Sequence, residues 1–180
     1  CFFYEDNLKL LERLGAEIVP FSPISDYKIP PTLDGMIFYG GYPEIYAEQL
    51  SVNQTMQESI RGAYAEGMPI LAECGGFLYL GKSLQDLQGN AWPMVGLTEG
   101  DGYRTDRLGR FGYIDLTENS AEPPAAGRNT QHEAKAGTAG YFDGYGKIGV
   151  LKAHEFHYYD TTANGTAFHA QKPAGKRNWD

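Results

Sequence analysis

The sequence predicts an α/β fold in which helices flank a mostly parallel β-sheet. Two short apolar runs, residues 36–39 and 69–72, have the length of buried strands. A long stretch with the apolar periodicity of a helix lies between them, and a further helical stretch follows the second run. Strands that alternate with helices form parallel sheets with right-handed crossovers.

The first part of the chain alternates in the same way. Leucines spaced three apart give residues 7–14 one apolar helical face, and Gly15 ends that helix. We expect residues 16–20 to form a short strand and residues 21–34, which are rich in proline, to form a loop. The strand over residues 36–39 then runs into a tight Gly-Gly turn.

The helical stretches have recognisable boundaries. Pro43 opens the first of them, and Asn53 is the expected N-cap of a helix over residues 53–66. The strand over residues 69–72 follows, and residues 75–81 begin another helix.

The second half of the chain is less periodic. Strands are predicted at residues 94–97, 111–117, 148–156 and 166–170. Because no clear linker interrupts the 180 residues, we expect residues 1–180 to form a single domain.

Composition narrows the class of protein. A hydrophobic fraction of 42% and a charged fraction of 21% are ordinary for a globular domain, and a net charge of −8 argues against a nucleic-acid partner. No apolar run reaches the length of about 20 residues that a membrane helix needs, so no membrane partner is expected. Two cysteines suit a reducing compartment, and we expect a cytoplasmic protein.

The candidate chemistry lies just after the two central strands. In an open parallel sheet, ligands bind beyond the carboxyl ends of the strands, so residues 40–44 and 73–76 are expected to share one site. Cys74 lies on a strand-to-helix turn, where the amides of the next helix favour the reactive thiolate. The amides of Gly41 and Gly75 are the expected oxyanion hole. The alternative is a small buried core cysteine beside glycines that only make turns.

Four segments carry a resemblance to a known family. They are YEDNL at residues 4–8, GGYPE at 40–44, PILAECGGFLYL at 69–80 and HEFHY at 154–158. In this order they resemble the C-terminal glutaminase domain of the cobyrinic acid a,c-diamide synthase family. That domain belongs to the cobalamin-type branch of the class I glutamine amidotransferases. The resemblance implies a flavodoxin-like class I glutamine amidotransferase fold, here truncated at both ends.

The same resemblance implies a reaction. Cys74 is the catalytic nucleophile, which attacks the side-chain amide of glutamine, passes through a thioester and releases ammonia. The ammonia serves the ATP-dependent amidation of the a and c carboxylates of cobyrinic acid in cobalamin biosynthesis. Partners are glutamine, the synthetase domain of the same polypeptide and, through that domain, the corrin precursor. ATP and Mg are expected in that N-terminal synthetase domain, and no cofactor or metal is expected in this one, which lacks the G-x-x-x-x-G-K-[ST] phosphate loop.

The family's activating histidine lies in a strand motif of two histidines followed by Phe, downstream of the HEFHY segment. This motif does not occur in the 180 residues, so we expect a fragment in which the base lies beyond Asp180. His154 and His157 are substitutes, but strand alternation allows only one of them to face Cys74. We therefore expect Glu155 and His157 to line the site or bind substrate; the alternative is that both are structural groups with satisfied hydrogen bonds.

Four residues of the two turns complete the expected site lining. They are Gly40, Tyr42, Glu73 and Gly76. Three arginines spaced three residues apart could bind carboxylates, or could simply form a solvated face. They are Arg104, Arg107 and Arg110. Cys1 matches a different amidotransferase class that uses an N-terminal cysteine, a less favoured interpretation because an apolar strand-like run follows it.

Three other functions stay open. The domain could serve a nickel-sirohydrochlorin a,c-diamide synthase, or be a catalytically silent docking module that keeps the fold. A stand-alone thiol hydrolase is the weakest of the three, because the chain offers no convincing base.

Overall fold

The computed structural model describes residues 2–119, 149–173 and 178–179. The chain forms two compact units. The first unit comprises Cys1–Arg104 and Thr161–Ala163, and the second comprises Thr105–Asp160 and Asn164–Asp180.

The first unit contains the alternating elements. Its described helices are α1 (Glu5–Arg13), a 3-10 helix (Pro43–Tyr46), α2 (Ala47–Val52), α3 (Gln54–Ala65) and α4 (Gly75–Leu80). Its described strands are β1 (Met36–Phe38), β2 (Ile70–Ala72), β3 (Ser83–Gln85), β4 (Ala91–Pro93) and β5 (Asp101–Arg104).

The strands β1 and β2 pair in parallel, with Met36 opposite Ile70 and Phe38 opposite Ala72. The crossover between them is α3, which buries Met56 and Ile60 completely. Its N-terminus is capped by Asn53, whose side-chain oxygen accepts a hydrogen bond from the Met56 amide at 3.4 Å. The predicted strand–helix–strand unit is therefore confirmed.

Two predicted strands of the first unit are wrong. No described strand pairs with residues 16–20, and the apolar side chains of Ile18 and Val19 stay exposed. Residues 94–97 also lie outside the strands, although Met94 and Val95 are buried. Their amides bond instead to the end of α4 and to the two residues after it, for example Val95 N to the Tyr79 carbonyl at 3.1 Å. A short apolar run shows burial, but it does not show where its backbone finds hydrogen bonds.

The second unit contains an antiparallel sheet of four described strands: β6 (Arg110–Glu118), β7 (Leu151–His157), β9 (Phe168–Gln171) and β10 (Asn178–Trp179). Their order in the sheet is β10–β9–β6–β7. The strands β6, β7 and β9 match those predicted at 111–117, 148–156 and 166–170, apart from their ends and residue 148, which lies outside the described residues. No strand was predicted at the position of β10.

The short strand β8 comprises Tyr159–Thr161. A further sheet in the first unit contains β3, β4 and β5. Its β3 and β5 pair in parallel, while β3 and β4 are antiparallel. The α/β class is confirmed, since helices accompany the parallel pairs β1–β2 and β3–β5. Of the helices in the described ranges, none has the length and apolarity to cross a lipid bilayer.

Candidate active site

The carboxyl ends of β1 and β2 bring the two glycine-containing turns together. The amide of Glu73 donates to the Phe38 carbonyl at 2.9 Å, which keeps the strands paired up to their last residues. Residues 39–42 follow β1, and Glu73 and Cys74 follow β2. A Cβ atom at Gly40 would make an ordinary contact with Cys74 Cβ at 3.6 Å, so the two turns are in contact.

Cys74 has an unusual backbone conformation. Its φ of 49° and ψ of −113° lie in a region that side-chain-bearing residues rarely adopt. The residue links the end of β2 to the first turn of α4, and its carbonyl accepts the Leu78 amide at 3.1 Å. Such a strained strand-to-helix turn is the geometry of a nucleophile elbow, which holds a reactive side chain out of the sheet. Cys74 is a free thiol and is exposed.

The two glycines after Cys74 are required by packing. A Cβ atom at Gly75 would lie 2.5 Å from the Gly41 carbonyl oxygen and 2.8 Å from Pro43 Cδ. A Cβ atom at Gly76 would collide with the backbone of Phe38, at 2.6 Å from its carbonyl carbon. Only residues without a Cβ allow α4 to start this close to β1 and the turn that follows it.

The groups around the Cys74 thiol shift its pKa in opposite directions. Burial is the largest influence and raises the pKa of Cys74, although the residue as a whole is exposed. Hydrogen bonds from the Gly75 and Gly41 amides lower that pKa, and the carboxylates of Glu44 and Glu73 raise it again. The two amides therefore lie near the thiol, where they can also stabilise a negatively charged oxygen.

Two ionisable residues near the site received no role in the sequence analysis: Glu44, which lies in the predicted turn at residues 40–44, and Tyr39, which was placed only in the preceding strand. Glu44 is half-buried just after the Gly-Gly turn, and burial raises the pKa of its carboxyl group. Burial, followed by the charge of Glu73, raises the pKa of Tyr39. Their positions at the carboxyl end of β1 are the signal that could have identified them.

Tyr42 forms the exposed rim of the same turn. Its ring packs edge-to-face on Phe2, with ring centroids 5.7 Å apart. The Phe2 amide donates to the Gly40 carbonyl at 2.7 Å, which ties the start of the chain to this turn.

Glu155 and His157 belong to the second unit. They lie on the less exposed face of β7, whereas His154 and Phe156 lie on the exposed face, so the predicted alternation is observed. Glu155 Oε2 lies 3.7 Å from Lys172 Nζ and accepts no hydrogen bond from the described residues. His157 Nδ1 lies 2.5 Å from the Tyr159 carbonyl oxygen. Because a carbonyl oxygen only accepts, the Nδ1–H of His157 donates this hydrogen bond.

The three arginines are divided between the units. Arg104 ends β5 in the first unit, whereas Arg107 and Arg110 lie in the second. Arg110 is 3.7 Å from the Asp160 carboxylate. Within the described ranges, no group of three or more His, Cys, Asp or Glu side chains is arranged to hold a metal ion.

Comparison with known proteins identifies relatives along the whole chain. Residues 1–179 match the family described as CobB/CobQ-like glutamine amidotransferase domain. A protein named cobyrinate a,c-diamide synthase from Caldanaerobacter subterraneus subsp. tengcongensis is 33% identical over 183 residues, 99% of this chain and 36% of that protein. Proteins of the same name from Listeria innocua and Streptococcus sanguinis are 40% and 36% identical, over 89% and 87% of this chain and 31% and 30% of their own lengths.

The chain thus spans about a third of the length of these curated relatives. The family match agrees with the predicted class I glutamine amidotransferase fold and with the resemblance carried by the motifs around residues 40–44 and 69–80. Since the match runs from residue 1 to residue 179, the chain belongs to the family of CobB/CobQ-like glutamine amidotransferase domains.

Proposed function

We propose that this chain is the glutaminase domain of a cobyrinate a,c-diamide synthase, with Cys74 as its nucleophile. One observation carries the proposal: Cys74 occupies a strained elbow, and the amides of Gly41 and Gly75 lie near its thiol. The names of the relatives supply the acceptor, because each is called cobyrinate a,c-diamide synthase.

The first half-reaction breaks the amide bond of glutamine. The Cys74 thiolate attacks the side-chain carbonyl carbon, a C–S bond forms, and the carbonyl electrons move to oxygen. The amides of Gly41 and Gly75 stabilise that oxyanion. When the intermediate collapses, the C–N bond breaks, and the nitrogen takes up the proton removed from the thiol and leaves as ammonia.

The second half-reaction restores the enzyme. Water adds to the thioester carbonyl, the C–S bond breaks, and glutamate leaves while the Cys74 sulfur regains a proton. Each turnover converts one glutamine and one water into one glutamate and one ammonia.

Both half-reactions need a base that takes and returns the thiol proton. Residues 1–104 contain no histidine, and the neighbours Glu44 and Glu73 oppose ionisation of the thiol. We assign the base to the family's activating histidine, which the resemblance places in a strand motif of two histidines followed by Phe, a motif that residues 1–180 do not contain.

ATP and Mg are assigned to the synthetase portion of the longer polypeptide. The 180 residues contain no phosphate-binding glycine loop, and the described side chains form no cation-binding cluster. The acceptor is the corrin precursor or, in a close variant, a nickel tetrapyrrole.

A second candidate is a silent docking module. The observation that favours it is the raised pKa of Cys74, because a thiol that stays protonated is a weak nucleophile. In that case the fold survives, but glutamine is not hydrolysed.

The test uses 6-diazo-5-oxo-L-norleucine, an electrophile that mimics glutamine. It is applied to this chain and to a polypeptide that continues beyond Asp180, and labelling of Cys74 is followed by mass spectrometry while ammonia release from glutamine is measured. Under the proposed function the longer polypeptide is labelled and releases ammonia, Cys74→Ala abolishes both, and Cys1→Ser, the matched control thiol, changes neither. An unlabelled Cys74 in the folded longer polypeptide would instead establish the silent module.

A further inference from the structure

One face of the β6–β7 pair is covered with exposed aromatic side chains. Phe111 lies directly opposite Phe156, and Tyr113 lies two residues further along the same face. Tyr158 continues the face just after β7. We call these four residues, Phe111, Tyr113, Phe156 and Tyr158, the aromatic face; their exposed fractions are 59%, 77%, 58% and 53%.

The apolar side chains on the opposite face of the same sheet are buried. Ile114 of β6 and Ala170 of β9 are both only 5% exposed. An antiparallel sheet with one buried face normally turns polar residues to solvent on the other. Here three outward positions carry aromatic rings, beside His154, Asp115 and Lys152 on the same face. An exposed aromatic patch of this kind marks an interaction surface.

The rings are already ordered for binding. Phe111 and Phe156 pack with centroids 5.5 Å apart, and Phe156 and Tyr158 with centroids 6.3 Å apart, both in edge-to-face arrangements. Rings held by one another lose little further freedom when a partner covers them. An ion pair borders the patch, with Lys152 Nζ 2.7 Å from Asp115 Oδ1. An apolar centre with a charged rim is the usual anatomy of a protein interface.

The size of the aromatic face indicates its occupant. With about 200 Å² for each aromatic residue, its exposed part amounts to about 500 Å². A stable complex between separate chains covers about 800 Å² on each partner. Domains joined in one polypeptide need a smaller buried area, because the linkage supplies a high effective concentration. Their interfaces bury about 600 to 1,500 Å² in total.

The comparisons provide such a linked partner. The matching relatives extend this domain by about twice its own length, since it covers 36% of one and 31% of another. We propose that the aromatic face docks onto the remaining, ammonia-consuming portion of the same polypeptide. This inference rests on the proposed function, in which that portion amidates the corrin precursor.

The test places the photo-crosslinking amino acid p-benzoylphenylalanine at Tyr113 and, separately, at Tyr158 of the full-length polypeptide. After irradiation, the crosslinked peptides are identified by mass spectrometry. We expect crosslinks within one chain that join either position to peptides outside residues 1–180. The matched control is the same amino acid at Tyr27, an exposed loop position of the first unit, which should give no such crosslinks. Crosslinks between two copies, or only to peptides of this domain, would overturn the proposal.

A functional measurement separates this inference from the proposed function. The double variant Tyr113→Glu, Phe156→Glu should lower glutamine-dependent amidation at least tenfold while amidation from added ammonia and labelling of Cys74 by the glutamine mimic stay near the unmodified level. Unchanged glutamine-dependent amidation in the double variant would overturn the docking inference alone. If the glutamine mimic does not label Cys74 in the unmodified protein, the proposed function is refuted, whatever the crosslinks show.

Discussion

The backbone of Gly75 lies so close to the carbonyl group of Gly41 that a Cβ atom at Gly75 would meet that oxygen at 2.5 Å. This contact sets the spacing between the two turns that carry the Gly41 and Gly75 amides, both of which lower the pKa of Cys74.

We expect Gly75→Ala to lower the free energy of unfolding by about 1–3 kcal/mol, because overpacking forces the backbone to shift. The same shift moves the Gly41 amide, so glutamine hydrolysis should fall as well. Urea unfolding and an ammonia assay measure both effects. Gly62→Ala is the matched control: it lies in α3 with nothing within 4 Å of a new Cβ, and it should stabilise the helix slightly. A fully active and stable Gly75→Ala variant would contradict the assigned contact.

The strain at Cys74 makes a prediction about stability. At a φ of 49° a glycine is relaxed, whereas alanine keeps the penalty of its Cβ. Cys74→Gly should therefore be more stable than Cys74→Ala by about 1 kcal/mol, although both lack the nucleophile. For a chain of this size the difference corresponds to about 2–4 °C in melting temperature.

Thr32 provides the control for that comparison, since its φ is 60° and it lies in the loop before β1. Thr32→Gly should exceed Thr32→Ala in stability by a similar amount. If the two Cys74 variants have the same melting temperature while those of the two Thr32 variants differ, the backbone of Cys74 is not strained.

The thiol should respond to its carboxylate neighbours. Burial and the charges of Glu44 and Glu73 raise the pKa of Cys74, so little thiolate is present at neutral pH. Removing one negative charge favours the thiolate and lowers that pKa. Glu44→Gln should therefore increase the rate of Cys74 alkylation by iodoacetamide severalfold at pH 8 and move its pH profile to lower pH. Glu48→Gln, an exposed carboxylate on α2, is the control that should leave the profile in place.

Asp86 stabilises the turn between β3 and β4. Its carboxylate accepts hydrogen bonds from the Trp92 indole at 2.8 Å and from the Asn90 amide at 2.8 Å. These bonds, that of Trp92 first, lower the pKa of Asp86 to about 2. An unfolded aspartate titrates near pH 3.9, so the stabilisation is complete above about pH 4 and is lost as the pH falls towards 2.

Asp86→Asn should thus be less stable than the unmodified chain at pH 7, and the difference should shrink below pH 4. Chemical unfolding at a series of pH values measures it, with exposed Asp34→Asn as the control. A difference that stays constant from pH 7 to pH 2 would show that the Asp86 charge plays no part.

Local sequence patterns predicted the central elements of the first unit well. Asn53 and the apolar spacing of Met56 and Ile60 are short-range signals for a capped helix, and the structure contains that helix. The end of β2 at Ala72 was predictable for the same reason, and β1 ends at Phe38, one residue before the predicted end. The predictions of strands at 16–20 and 94–97 were wrong, because an apolar run does not show which backbone groups will pair with it. The Val95 amide bonds to the end of α4 instead of to a strand.

The sequence by itself determined the strand–turn–helix order, the cysteine followed by two glycines, and the family to which this chain belongs. Only the tertiary structure decided which groups surround that cysteine and which face of β6 and β7 carries exposed rings. The reason is physical: helix caps, glycine turns and apolar spacing act over a few residues, whereas the pKa of Cys74 and the exposure of Phe156 depend on neighbours from distant parts of the chain. Those neighbours meet only when the strands pair.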